Sequence, residues 1–257
     1  MHPILFELGP VSLKSYGLML AISILTGIYL AKRQAKKEGI EPKEVETISF
    51  WLAVSGIFGA RFLYTFVENG SYYWRHPIEF FYLQTGGISF FGALYTVVPT
   101  LWFLCWKKKL SFLQLADIFA PVLSLGLGIT KIGCFLAGCC YGTVCDLPWA
   151  ITFTNPQGLA QPKGVPLHPA QLYEAVSWIS LYFILVWLRK YRKVPGEIFL
   201  LFVITFGIGR ALLEEFRGDS IHVKGLTSYQ WMSIPVVLLG IIAWVYLRKR
   251  KKKERSK

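Results

Sequence analysis

The spacing of its apolar runs constrains this chain more than any other feature. Seven stretches, residues 15–31, 47–67, 87–106, 112–140, 171–188, 196–213 and 229–247, are apolar. Most are close to the ~20 residues that a helix needs to cross ~30 Å of hydrocarbon at ~1.5 Å per residue. The fourth is long and either continues past the membrane or breaks near its Gly/Cys end. The fifth and sixth are short. Inside hydrocarbon the backbone must satisfy its own polar groups, so repeated runs of this length are helices. Charged residues make up only 17% of the chain against 54% hydrophobic, which excludes an ordinary soluble enzyme and a disordered tail. The flank before the first run carries one Lys and one Glu, and no small-residue cleavage site follows it. The run therefore reads as a retained span, not a signal peptide.

Loop charges orient the spans. Five Lys/Arg follow the first run, three the third, four the fifth and eight the seventh, while the opposite connections hold four in all. The positive-inside bias then places the N-terminus outside and the C-terminus in the cytoplasm. The net charge of +13 is thus accounted for by membrane flanks, and the chain is expected to bind no nucleic acid. The expected fold is an all-α polytopic membrane protein of seven transmembrane helices with a small outer-face cap. Residues 1–257 read as a single integral membrane domain. Outer-face loops are expected at 68–86 and 141–170, and a basic cytoplasmic tail touching anionic lipid at 248–257. The segment PWAITFTNP (148–156) is a possible short strand in the second loop.

Arg61, Lys131 and Arg210 fall inside the second, fourth and sixth runs. A cation in hydrocarbon costs about 2.5–3.5 kcal/mol even on lenient insertion scales, so three facing lipid is not expected. All three runs point outward, and all three cations lie toward their outer ends. Tyr16, Gln171, Tyr173, Glu174 and Gln230 open other runs at the same level. Glu214 lies one helical turn after Arg210, and Arg217 three residues further. Simpler readings stay open for each. Arg61 either snorkels or pairs with Glu68, Glu214 neutralises Arg210, and Tyr16 belongs to an interface belt. As a group, the cations suit an anionic lipid headgroup, Arg by bidentate geometry and Lys as a point charge. Gly56, Gly59, Gly86, Gly87, Gly92, Gly126, Gly128, Gly133, Gly138 and Gly142 serve either helix packing or backbone approach to that headgroup.

Four of the five cysteines, Cys134, Cys139, Cys140 and Cys145, gather at the end of the fourth run. Their C-x4-C-C-x4-C spacing matches no zinc pattern, so no metal and no cofactor is expected. Cys134 reads as a packing residue, and a disulfide involving Cys145 stays open, as does the redox state of Cys139 and Cys140. His168 either starts a helix or carries a proton.

The segments SYGLML (15–20), GARFLY (59–64), GGISFFG (86–92), KIGCFLAGCCYG (131–142), PLHPAQLYE (166–174), GRALLEEFRGD (209–219) and LTSYQWMS (226–233) follow in order. Together they resemble the bacterial prolipoprotein diacylglyceryl transferase family over nearly the whole chain. The resemblance implies transfer of diacylglycerol from phosphatidylglycerol to the lipobox cysteine of an exported prolipoprotein, forming a thioether and releasing glycerol phosphate. It also implies the bacterial cytoplasmic (inner) membrane, an active site facing the outer leaflet, and phosphatidylglycerol, prolipoprotein signal peptides and membrane lipids as partners. Tyr16, Gly142, His168, Gln171, Glu174, Arg210, Glu214 and Arg217 match the family pattern. The chain departs where the family's histidine is Phe91, its signature arginine Lys131, its Asn, Asn and Glu are Cys134, Ala137 and Cys139, and a tyrosine is Phe206. It resembles a divergent member.

The implied chemistry is displacement at a glycerol carbon by sulfur. Arg210, Lys131, His168 and Glu214 are the candidate catalytic residues. Lys131, Arg210, Tyr16, Arg61, Gly142, Gln171, Glu174 and Arg217 are the candidates for substrate binding. A thiol with pKa near 8.5 must lose its proton, for which His168, Glu174 and Glu214 are candidates. The competing readings are a non-catalytic phospholipid- or lipoprotein-binding paralogue, and a transporter. The latter would show internal repeats, and none is found.

Overall fold

The computed structural model describes every residue except Met1, Gly9, Pro10, 83–86, Ile88, Ile221, Lys224, Ser256 and Lys257. Gly86, Lys224 and the last two residues of the expected tail therefore lie outside the described residues. In chain order the elements begin with strands β1 (Ile4–Leu8) and β2 (Val11–Lys14), then helices α1 (Ser15–Lys37) and α2 (Pro42–Leu63). A π-helical turn (Tyr64–Glu68), the short α3 (Gly70–Tyr73) and a 3-10 turn (Pro77–Phe81) lead to α4 (Phe90–Lys108). Then come α5 (Phe112–Ala137), β3 (Ile151–Thr152), β4 (Pro166–Leu167), α6 (Ala170–Leu188) and α7 (Glu197–Leu213). Strands β5 (His222–Val223) and β6 (Leu226–Thr227) precede α8 (Ser228–Arg255). The three strand pairs are antiparallel hairpin-like ribbons. One of them contains Ile151, inside the segment expected to form a short strand.

The protein is mostly helical and multi-pass. Among the described residues, five helical segments are long and apolar enough to cross a bilayer: Ser15–Lys37, Pro42–Val67, Phe112–Ala137, Ala170–Tyr191 and Tyr229–Lys252. The third and sixth expected spans correspond to α4, with 19 residues, and α7, with 17. At ~1.5 Å per residue α7 covers about 26 Å, slightly less than a hydrocarbon core. The expected fourth span ran to Cys140, but α5 stops at Ala137. Gly138 takes φ 80, and its amide and that of Cys139 turn back onto the Cys134 carbonyl at 2.8 and 3.1 Å. A glycine in the left-handed region is the usual way to end a helix.

The chain forms two compact units, one of residues 30–115 and one of residues 1–29 with 116–257. In the first, α2 and α4 cross closely. A methyl group at Gly59 would collide with Thr96 and the Gly92 carbonyl, and one at Gly92 with the Gly59 carbonyl. Here the glycines serve close helix approach. In the second unit, Ala120 of α5, Trp178, Leu181 and Leu185 of α6, and Ile198 and Phe202 of α7 build an apolar core. Ser124 Oγ donates to the Trp178 carbonyl at 2.7 Å across this core. Most of α8 is exposed, with Ile234, Leu238, Leu239 and Ile242 on its surface, as suits a helix bathed in lipid.

One end of the second unit is held by two buried carboxylates that the sequence reading passed over. Asp117 of α5 accepts the Gly196 and Phe199 amides, each at 2.8 Å, and so caps α7 from a neighbouring helix. Arg192 Nη1 lies 3.3 Å from the same carboxylate. Glu197 accepts the Lys193 amide at 2.7 Å and Arg248 Nε of α8 at 2.7 Å. Replacing Asp117 by Ala leaves two buried amides without an acceptor, at about 1–3 kcal/mol for each unsatisfied group. The expected outcome is a clearly lower thermal midpoint for the detergent-solubilised Asp117→Ala protein, with Asp117→Asn in between. An unchanged midpoint would refute the capping role.

Candidate functional site

The opposite end of the same unit collects polar residues from α1, α5, α6, α7 and α8. Gly133 on α5 lets α1 come close: a methyl there would lie 2.9 Å from Met19 Cβ and 3.3 Å from Tyr16 Cα. Tyr16 thereby comes within electrostatic reach of Cys134, Cys139 and Cys140. On α6 the residues Gln171, Glu174, Ala175 and Trp178 share a buried face, at the spacing of one helix side. Glu174 is only 2% exposed. Its Oε1 accepts Lys131 Nζ of α5 at 2.8 Å and faces Arg217 Nη1 at 3.5 Å. Trp178 Nε1 approaches its other oxygen at 3.4 Å.

Arg217 follows a 3-10 turn, Glu214–Phe216, at the end of α7. Its Nε and Nη2 donate to the two Asp219 oxygens at 2.9 and 2.8 Å, a fork-on-fork pair. Burial works against its charge, but Asp219, with Cys140 and Glu174 nearby, outweighs burial and raises its pKa. Arg210 pairs with Glu214 one turn along, and its guanidinium lies 4.3 Å over the Tyr229 ring at the start of α8. Glu214, 2% exposed, also accepts Ser220 Oγ at 2.6 Å.

The connecting segments are tied together by Gly142. It forms an isolated antiparallel bridge with Arg217. The Thr143 amide donates to the Phe216 carbonyl and the His168 amide to the Thr143 carbonyl, at 3.0 and 2.9 Å. A methyl on Gly142 would collide with His168 on one side and lie 2.8 Å from the Phe216 carbonyl on the other. Gln171, fully buried, donates Nε2 to the Cys139 carbonyl at 2.9 Å and so holds the turn after α5 against α6. His168 Nδ1 lies 3.3 Å from the Tyr173 hydroxyl, which accepts Trp149 Nε1 at 2.7 Å.

The fold thus brings together Lys131, Glu174, Arg217, Gln171, Gly142, His168 and Tyr16. Arg210 and Glu214 form their own ion pair on the segment leading to Arg217. Arg61 belongs to the other unit. There it is 1% exposed and donates to the carbonyls of Glu79, Phe80, Tyr82 and Gly87. Its guanidinium gathers the backbone of Glu79, Phe80, Tyr82 and Gly87, a use that the residue pattern did not suggest.

All five cysteines are free thiols. The Sγ atoms of Cys134, Cys139 and Cys140 nevertheless lie within 4.8 Å of one another. Their sequence spacing matched no metal pattern. The cluster arises because the Gly138 turn folds the chain back over Cys134, and Cys140 takes φ 57, rare for a residue with a Cβ. Hydrogen bonds from Cys134 and Cys139 hold the Cys140 thiol below its ordinary range; burial opposes this, and Lys131 and Arg217 add to it.

The chain matches the family described as prolipoprotein diacylglyceryl transferase over residues 3–246. Among its relatives is the phosphatidylglycerol–prolipoprotein diacylglyceryl transferase of Geobacter sulfurreducens, 36% identical and covering 97% of this chain and 96% of the relative. The protein of the same name from Clostridium tetani is 32% identical, covering 98% and 100%. That of Idiomarina loihiensis is also 32% identical, covering 96% and 94%.

Gly142→Ala is expected to push the His168 and Phe216 segments apart. Limited proteolysis should then cut within 141–170 under conditions that leave the parent intact, and the thermal midpoint should fall. Identical cleavage of the two proteins would show that the close approach has no structural weight.

Proposed function

The chain belongs to the prolipoprotein diacylglyceryl transferase family, and we infer the roles of its buried polar residues from that premise. It is a transferase of lipoprotein maturation. It moves the diacylglyceryl group of phosphatidylglycerol to the lipobox cysteine of a prolipoprotein, forming a thioether and releasing glycerol phosphate. The relatives all carry the transferase name, and nothing favours the binding-only reading.

The reaction expels a phosphate ester, so charge grows on phosphate oxygens as the carbon–oxygen bond breaks. The observation that carries the assignment is the pairing of Lys131 and Arg217 over the single buried carboxylate of Glu174. Lys131 commits one of its three N–H donors to Glu174, which leaves two for a phosphate. Arg210, anchored on one side by Glu214 and stacked on Tyr229, supplies the second cation. Preorganised cations in a water-poor site stabilise developing charge more than they would in water. Glu174 and Glu214 position these cations and offset their burial before substrate arrives. Gln171 Oε1 makes no hydrogen bond among the described residues and is the acceptor assigned to a headgroup hydroxyl. Tyr16 and Gly142 shape the wall of the site. Arg61 is left to the scaffold of its own unit. His168, held by Tyr173 through Nδ1 and by its amide to the Thr143 carbonyl, is assigned to positioning the loop.

The topology assigned here has seven spans, counting α4 and α7, in one integral domain of the bacterial inner membrane. The N-terminus is outside, the tail is cytoplasmic and the site faces the outer leaflet. Supporting this, the Lys131 end of the second unit lies opposite the end carrying Arg189, Arg192 and Arg248, where the basic flanks concentrate.

Reconstituted protein with labelled phosphatidylglycerol and a lipobox peptide tests the assignment. Lys131→Ala and Arg210→Ala are each expected to lower the transfer rate by about 10²–10³-fold, the usual cost of one lost oxyanion partner. Lys131→Arg should retain part of the rate. Full transfer by Arg210→Ala would contradict its role. A cysteine-reactive probe that cannot cross the membrane should label a cysteine introduced at Ser12 in intact cells, and one introduced at Lys252 only after permeabilisation. The reverse pattern would overturn the orientation.

A further inference from the structure

We propose that Cys134, Cys139 and Cys140 form a three-thiolate site for a thiophilic cation, zinc(II), whose fourth position is open to the cysteine thiol of the prolipoprotein. The second half of this proposal rests on the transferase reading above; metal binding itself does not.

The geometry is close to that of a formed site. Zinc–sulfur bonds of about 2.3 Å place two sulfurs of a tetrahedron about 3.8 Å apart. The three Sγ atoms already lie within 4.8 Å of one another, so small side-chain rotations close the set. The backbone is shaped to present them. Gly138 in the left-handed region wraps the chain over Cys134, and Cys140 is held at φ 57, where a Cβ is strained. Cys134 is buried, at 5% exposed, whereas Cys139 and Cys140 are only partly buried.

The donor set decides the class of metal. Three sulfurs with no carboxylate among them select a soft or borderline ion over magnesium or calcium. Lys131, three residues before Cys134 on α5, and Arg217, bridged to Gly142 two residues after Cys140, offset the negative charge that three thiolates bring. Three protein ligands with one exchangeable position is the arrangement of catalytic zinc, whereas structural zinc is closed by four.

The consequence for the reaction follows from the acidity of a coordinated thiol. A thiol bound to zinc loses its proton, here to water. Its sulfur lone pair then attacks the glycerol carbon. The carbon–sulfur bond forms, the bond between that carbon and the phosphate oxygen breaks, and glycerol phosphate leaves with the bonding electrons toward Lys131 and Arg210. Zinc keeps its charge throughout, so no oxidant or reductant is needed.

The test uses the full chain in detergent. Metal analysis after loading with zinc should find about one ion per chain. Cys134→Ser, Cys139→Ser and Cys140→Ser should each lose it, while Cys145→Ser keeps it. Substitution with cobalt(II) should give intense sulfur-to-metal charge-transfer bands. These should shift on adding a lipobox peptide and stay fixed with its Cys→Ser analogue. If a single variant fails to fold, the cobalt spectrum of the parent chain decides alone, since those bands require thiolate ligands. Failure of the parent to take up zinc stoichiometrically, full zinc retention by the triple variant, or a disulfide joining two of the three cysteines would each overturn the site. Bands indifferent to the cysteine peptide would overturn the open position. Equal transfer by metal-free and metal-loaded enzyme would remove the activating role. A peptide-dependent band shift with no transfer in either form would instead count against the transferase reading and leave the metal site standing.

Discussion

Buried charge that has to stay charged is the constraint on which this site depends. Glu174 is almost inaccessible, yet it faces both Lys131 and Arg217. Removing one partner of such a buried pair costs about 3–5 kcal/mol, because the remaining ion is left without compensation. The same cost explains the architecture around it. Asp219 takes the other side of Arg217, Glu214 takes Arg210, and each arginine is thereby fixed before any ligand binds. A site for an anionic headgroup needs cations that are charged, oriented and out of bulk water. Carboxylates that share them supply all three conditions without occupying every donor.

Precision comes from the small residues where segments cross. Gly142 sits between His168 and Phe216 with no room for a methyl group, and Gly133 brings Tyr16 close to α5. These contacts join pieces of chain far apart in sequence: the turn after α5, the start of α6 and the end of α7. At the opposite end of the unit, Asp117 and Glu197 do comparable work for helix termini. Polar residues at both ends bracket an apolar core built on Trp178.

Local relations were legible in the sequence. Arg210 and Glu214 pair because residues one turn apart on a helix are neighbours whatever else happens. The run lengths located the helices, and the HP-x-QLYE and GR-x3-E-x2-R segments identified the family. The α5 terminus was misplaced by three residues, since hydropathy continues through Leu136 and Ala137 into cysteines while Gly138 turns the backbone. Arg61 looked like a ligand for lipid because its burial was foreseeable and its carbonyl partners, among them Glu79 and Gly87 at 18 and 26 residues away, were not. Asp117 drew no notice: a single acidic residue near the end of an apolar run says nothing of the helix terminus that it will cap.

The amino-acid order alone determined that this chain lives in a bilayer, roughly where its long helices lie, though α1 and α8 run on through their basic flanks to Lys37 and Arg255, and to which family it belongs. Run length, charge asymmetry and short motifs are properties of contiguous residues, so they survive without a structure. Only the tertiary fold decided that Glu174 meets Lys131 and Arg217, each 43 residues away along the chain. It also decided that three cysteines with no recognisable spacing share one small volume. Electrostatic pairing and ligand geometry depend on through-space distances of a few ångströms, and those are set by how helices cross and turns close, which no local pattern encodes.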